Sequence, residues 1–157
     1  QISADDNLFN QIRRVNFPLM IGLFLFYFIG GYLLYSALMA AVGSAVDSDT
    51  DTQQFVLPVT FPLLLAYFLS FQVFANPGST MAIWLSIIPF TSPIIMMIRV
   101  SYGIPSADLW QVYLSCALLI ATFIAAAWVS ARIYRTGILM YGKKASLREL
   151  LKWITFR

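Results

Sequence analysis

The stretch Ser86-Ile-Ile-Pro-Phe-Thr-Ser-Pro-Ile-Ile-Met96 decides how this chain meets a membrane. Pro89 and Pro93 stand four apart, with Thr91 and Ser92 between them, inside an apolar run from Met81 to Ile98. Each proline lacks a backbone donor and its ring clashes with the carbonyl one turn back, so a helix through both leaves carbonyls without intrahelical partners. Lipid supplies no substitute, and such backbone is tolerated only inside protein or beside water. The stretch therefore predicts a broken, re-entrant hairpin over about 81–98, turning at Pro89, Thr91, Ser92 and Pro93.

Around it lies a chain of 157 residues that is 60% hydrophobic and 11% charged, where a soluble domain carries about a quarter charged residues. Three segments run without any charge: Phe17 to Val42, Phe55 to Phe74 and Leu109 to Ser130. Each is long enough for a helix to cross a bilayer, which takes about 20 apolar residues. The expected fold is all-α: a polytopic helical membrane protein with spans at about 17–43, 55–75 and 109–131, the hairpin, and a C-terminal amphipathic helix. In the first span Gly22, Gly30 and Gly31 leave room for another helix to approach closely. In the second, Pro58 sits near the expected start, where proline is tolerated, and Pro62 is expected to bend the helix. Asn76-Pro77-Gly78-Ser79 reads as the turn that ends it, and Asp108 suits the positive end of the third span.

The tail, 132–157, carries Arg132, Arg135, Lys143, Lys144, Arg148, Lys152 and Arg157 against Glu149 alone. The bias of Lys and Arg toward the inner side puts this end in the cytoplasm. Ser146-Leu-Arg-Glu149 matches a capping box, with Leu147, Leu150, Leu151 and Ile154 following at helical spacing, as expected of a helix lying on anionic headgroups. At the other end Leu8, Phe9 and Ile12 share one face of a short interfacial helix. The opening Gln1-Ile-Ser-Ala-Asp-Asp-Asn7 resembles neither a natural start nor a signal peptide, so a fragment of a longer protein is expected. Counting four full spans would gather more basic residues inside, Arg13 and Arg14 included. Three spans and a hairpin are preferred because two hydrated arginines outside cost less than a proline pair facing lipid.

Asp47, Asp49 and Asp51 alternate after the first span like the start of an EF-hand loop. That loop then requires Gly at its sixth position and Glu at its twelfth; Thr52 and Pro58 stand there. No metal is therefore expected, and the acids, with Gln53 and Gln54, read as the cytoplasmic turn between two spans, Thr50 or Asp51 capping the next helix. The chain has no histidine and one cysteine, Cys116, within an apolar window. It also lacks a Gly-x-Ser-x-Gly elbow and a phosphate-binding Gly-Lys-Ser/Thr loop. Enzymatic activity is not expected, and no cofactor.

Three ordered blocks carry a resemblance. Gly31-Tyr-Leu-Leu-Tyr-Ser-Ala-Leu-Met-Ala-Ala-Val-Gly-Ser-Ala-Val-Asp-Ser-Asp-Thr-Asp-Thr-Gln-Gln54, Trp84-Leu-Ser-Ile-Ile-Pro-Phe-Thr-Ser-Pro-Ile-Ile-Met96 and Ala131-Arg-Ile-Tyr-Arg-Thr-Gly-Ile-Leu-Met-Tyr-Gly-Lys-Lys144 resemble the C-terminal half of ABC-2 type permeases, particularly the sodium-efflux-like branch of bacterial ABC exporters. The resemblance implies that the spans are the family's fourth, fifth and sixth and that the hairpin is its external re-entrant element. It implies a multi-pass protein of the bacterial inner membrane that pairs with a second permease, as a homodimer, and rests on an ATP-binding cassette subunit, which would hold the ATP and Mg. Membrane lipid is the other expected partner; nucleic acid is not one. The family's fifth span lines the pathway, which nominates Thr60, Tyr67 and Phe71, spaced near one helical face. The cargo is open, since no acid within a span marks a cation site. The rival readings are a membrane anchor or scaffold, and a passive channel, for which Ser36, Ser115 and Thr122 make too thin a polar stripe.

Overall fold

The structure, a computed structural model, describes residues 17–46 and 49–139. Five α-helices make it up: α1 (Phe17–Ala45), α2 (Asp49–Ala75), α3 (Thr80–Ile87), α4 (Ser92–Tyr102) and α5 (Leu109–Leu139), with a 3-10 turn, Ser106–Asp108, before the last. Three are long and apolar enough to cross a membrane: Phe17–Ala45, Thr52–Ala75 and Leu109–Arg135. The expected N-terminal helix, the capping box at Ser146 and Asp47 itself lie outside the described residues.

Between the second and third spans stands the hairpin. Helices α3 and α4, of 8 and 11 residues, reach only about 12 and 17 Å at 1.5 Å per residue, well short of the ~30 Å hydrocarbon core. The direction of α5 shows that the pair returns to the end it left. Tyr27 donates to the carbonyl of Val112, Gly30 faces Leu119, and Ser130 donates to the carbonyl of Ala37. Partner numbers rise together, so α1 and α5 run parallel. With α2 returning between them, an even number of crossings by the hairpin limbs is required.

Two apolar clusters hold the fold. Tyr27, Leu34, Met96, Val112, Leu119 and Ala126 join α1 and α5 to α4. Ala66, Val73, Ala82, Ile95 and Ile98 join α2 to both hairpin limbs. The hairpin is thus wedged between α2 and the α1/α5 pair, sheltered by protein as its prolines demand. Gly30 and Gly31 make the close approach: a Cβ on Gly31 would stand 3.0 Å from the Pro93 ring, and one on Gly30 2.8 Å from Leu119. Gly22, grouped with them by sequence, faces open space.

Two boundaries differ from expectation. Helix α2 starts at Asp49, so Asp49, Asp51, Gln53 and Gln54 occupy its first turns. Acids at a helix N-terminus are stabilised by its partial positive charge, so the run that looks like a bend extends the helix. In consequence Pro58 is interior, like Pro62. The last helix likewise continues past Ala131 to Leu139, with the Arg132 guanidinium 4.3 Å from the Trp128 ring centroid, a cation–π contact.

Candidate functional site

The hairpin tip is built from side chains that replace the hydrogen bonds its prolines remove. Ile88, just before Pro89, is extended (φ −62°, ψ 122°), as steric conflict with the following ring favours. Thr91 donates its hydroxyl to the carbonyl of Leu85, 2.5 Å away, and the Ser92 amide donates to the carbonyl of Ile88 at 2.8 Å. From α1, Tyr35 donates to the carbonyl of Phe90 at 2.8 Å. Thr91 and Ser92 are buried. Counted along α1 from Tyr27, which binds α5's first turn, to Tyr35, the tip lies about 12 Å deeper than the start of α5.

Against this tip opens a cleft of about 450 Å³. Its walls are Phe24, Phe28, Tyr32 and Met39 of α1, Leu63 of α2, and Phe90, Pro93 and Ile94 of the tip, among others. The lining is apolar apart from the hydroxyls of Tyr32, Tyr35 and Ser36, an arrangement suited to hydrophobic or amphipathic occupants. The root of the hairpin is polar by contrast. Arg99, 5% exposed, donates from Nε to the carbonyl of Pro77 at 3.1 Å and from Nη1 to the Ser86 hydroxyl at 2.6 Å. Ser115 of α5 donates to the carbonyl of Ser86 at 2.8 Å. One turn earlier on α5, Gln111 donates to Asp108 at 3.1 Å.

Of the residues nominated for pathway lining, Tyr67 and Phe71 are 54% and 61% exposed on α2, with ring centroids 5.6 Å apart, edge to face. Thr60 is half-buried and its hydroxyl donates back to Val56 of its own helix at 2.5 Å. None of the three borders the cleft, to which α2 contributes Leu63. Arg99 is the residue that sequence patterning passes over. It is the one charged residue between Asp51 and Asp108, and an ionisable side chain in such a run marks function or a specific partner. That signal was present; its position just beyond the apolar window concealed it.

Three spans around a proline-broken re-entrant hairpin, with an apolar cleft against its tip, define the class: a polytopic membrane protein with a sheltered half-depth element. Within that class the chain belongs to the ABC-2 family transporter proteins, whose sequence profile matches residues 8–131. It is similar to the uncharacterized protein YhaP of Bacillus subtilis (strain 168), 31% identical over 79% of this chain and 29% of the relative. It is also similar to the uncharacterized protein MJ1024 of Methanocaldococcus jannaschii, 28% identical over 83% of this chain and 32% of the relative. The chain thus spans about a third of the length of these relatives. No solved structure matches it.

Proposed function

We propose that residues 1–157 lie within the C-terminal half of the membrane subunit of an ABC exporter, forming part of the translocation pathway and driven by a separate ATP-binding subunit. The observation that carries the proposal is the family match across the three spans and hairpin, joined to a cleft between hairpin tip and spans. In this reading the hairpin enters from the outside, the α1–α2 turn and the C-terminus face the cytoplasm, and two copies pair. Closure of the ATP-binding subunits on ATP and Mg moves rigid helices against one another, so that the pathway opens to each side in turn. Tyr67 and Phe71 are the lining candidates, supported by their exposure and edge-to-face contact on α2.

The test is co-purification of the full-length protein with an ATP-binding cassette subunit, followed by ATP hydrolysis with and without candidate cargoes. Stimulation by a cargo supports a permease; stable assembly with no response to any cargo would favour the scaffold. Orientation is tested in a Cys116→Ala background with an impermeant thiol reagent on intact cells. Gly78→Cys, exposed in the turn before α3, is expected to label and Val46→Cys is not; the reverse pattern would overturn the assignment of sides.

A further inference from the structure

We infer that Arg99 is a partner-exchanging latch at the root of the hairpin: bound here to Pro77 and Ser86, it moves in a second conformation to Asp108 and the side-chain oxygen of Gln111. The guanidinium is buried, keeps its charge, and its hydrogen bonds run only to neutral oxygens, the Pro77 carbonyl and the Ser86 hydroxyl. Among the described residues it makes no ion pair with Asp108. Burial works against its charge, and the charge of Asp108 works for it across that gap. A buried cation without a bound anion is a costly arrangement.

The complement stands at the start of α5. Gln111 is 3% exposed; its amide nitrogen holds Asp108, yet among the described residues its buried oxygen has no hydrogen-bond partner. An orphaned acceptor of this kind is rare in folded proteins and costs about as much as a lost hydrogen bond. Ser115, on the same buried face of α5 one turn after Gln111, binds the carbonyl of Ser86, whose hydroxyl Arg99 holds. Arg99 and Gln111 are thus linked through Ser86 and Ser115 at the root of the hairpin. The planar fork has five donors and matches a carboxylate with a neighbouring amide oxygen.

In the exchange Ser86 keeps its own donor on the carbonyl of Ile83, and Pro77 lies in a half-buried turn. Each conformation satisfies a set of groups that the other leaves short. Passing from one to the other frees the root of α4 from the turn before α3 and ties it to α5, so the two limbs part at their base.

The experiment places spin labels at Gly78→Cys and Ser101→Cys, exposed positions on the two roots, in full-length Cys116→Ala protein in lipid nanodiscs. Ser86→Ala, which removes a partner of the present conformation, is expected to raise a second, longer distance population roughly tenfold, the weight of one hydrogen bond of about 1.4 kcal/mol. Adding Asp108→Asn and Gln111→Leu is expected to abolish it. Asp108→Asn alone retains an acceptor for the Gln111 amide, so it preserves packing while testing charge, and is expected to reduce the longer population. A single distance in both wild type and Ser86→Ala, or a longer population indifferent to Asp108 and Gln111, would overturn the latch. The readout needs no ATP-binding subunit, so its outcome is independent of the exporter assignment.

Discussion

The chain contains the same proline spacing twice, with opposite results. Pro58-Val-Thr-Phe-Pro62 lies within the continuous helix α2, while Pro89-Phe-Thr-Ser-Pro93 splits α3 from α4. Both pairs enclose a threonine. In α2 the Thr60 hydroxyl turns back one turn to Val56, the bond a helical threonine makes. At the tip the Thr91 hydroxyl reaches six residues back, to Leu85, and Tyr35 arrives from another helix to take the Phe90 carbonyl. The difference teaches that prolines create the demand for a break, and that the break occurs where other groups stand ready to satisfy the carbonyls it frees.

Substitutions sharpen this contrast, the largest first. Pro62→Ala is expected to stabilise the protein by roughly 1–3 kcal/mol, since an interior proline costs about 3 kcal/mol before compensation. Pro93→Ala is expected to do the opposite, because Pro93 sits in the first turn of α4, where proline is favoured, and its ring packs on Gly31. Thermal unfolding midpoints in detergent read both, and equal signs would break the comparison. Next, Thr91→Val leaves a buried carbonyl short and is expected to cost about 1–3 kcal/mol, whereas Thr60→Val should fall within ~0.5 kcal/mol by the same measurement.

Gly31→Ala meets the rigid Pro93 ring and is expected to cost about 1–3 kcal/mol. Gly30→Ala meets the mobile end of Leu119 and should cost less, and Gly22→Ala, in open space, should gain up to ~1 kcal/mol from helix propensity alone. Chemical-denaturant midpoints across the three order them. Tyr35→Phe is expected to cost about 1 kcal/mol for one hydrogen bond. If it instead equals Thr91→Val, the tip depends on α1 as heavily as on its own threonine.

Much of the architecture was legible before any coordinates. Uncharged runs place spans, because a bilayer sorts segments by composition and length, and the tip prolines mark the hairpin through backbone chemistry alone. What escaped is instructive. The start of α2 was hidden because Asp49 and Asp51 suit a turn and a helix N-terminus equally well. The fate of each threonine was hidden because it depends on carbonyls distant in sequence. Arg99 was hidden because patterning weighs windows, and one cation at the edge of an apolar window alters its mean little. Likewise Thr60, Leu63, Tyr67 and Phe71 share a helical face by spacing, yet of these four the cleft takes Leu63 alone.

The parallel course of α1 and α5 has a mechanical corollary. Stitched together at Tyr27 and Val112 near one end and at Ala37 and Ser130 near the other, the two act as a single strut that resists sliding. The portion of α5 beyond Ser130, reaching to Leu139, is then a lever arm outside the stitching. Torque applied there tilts the strut as a whole and, through Ser115 on Ser86, is delivered to the hairpin at the far side of the membrane without any change in the helices that carry it.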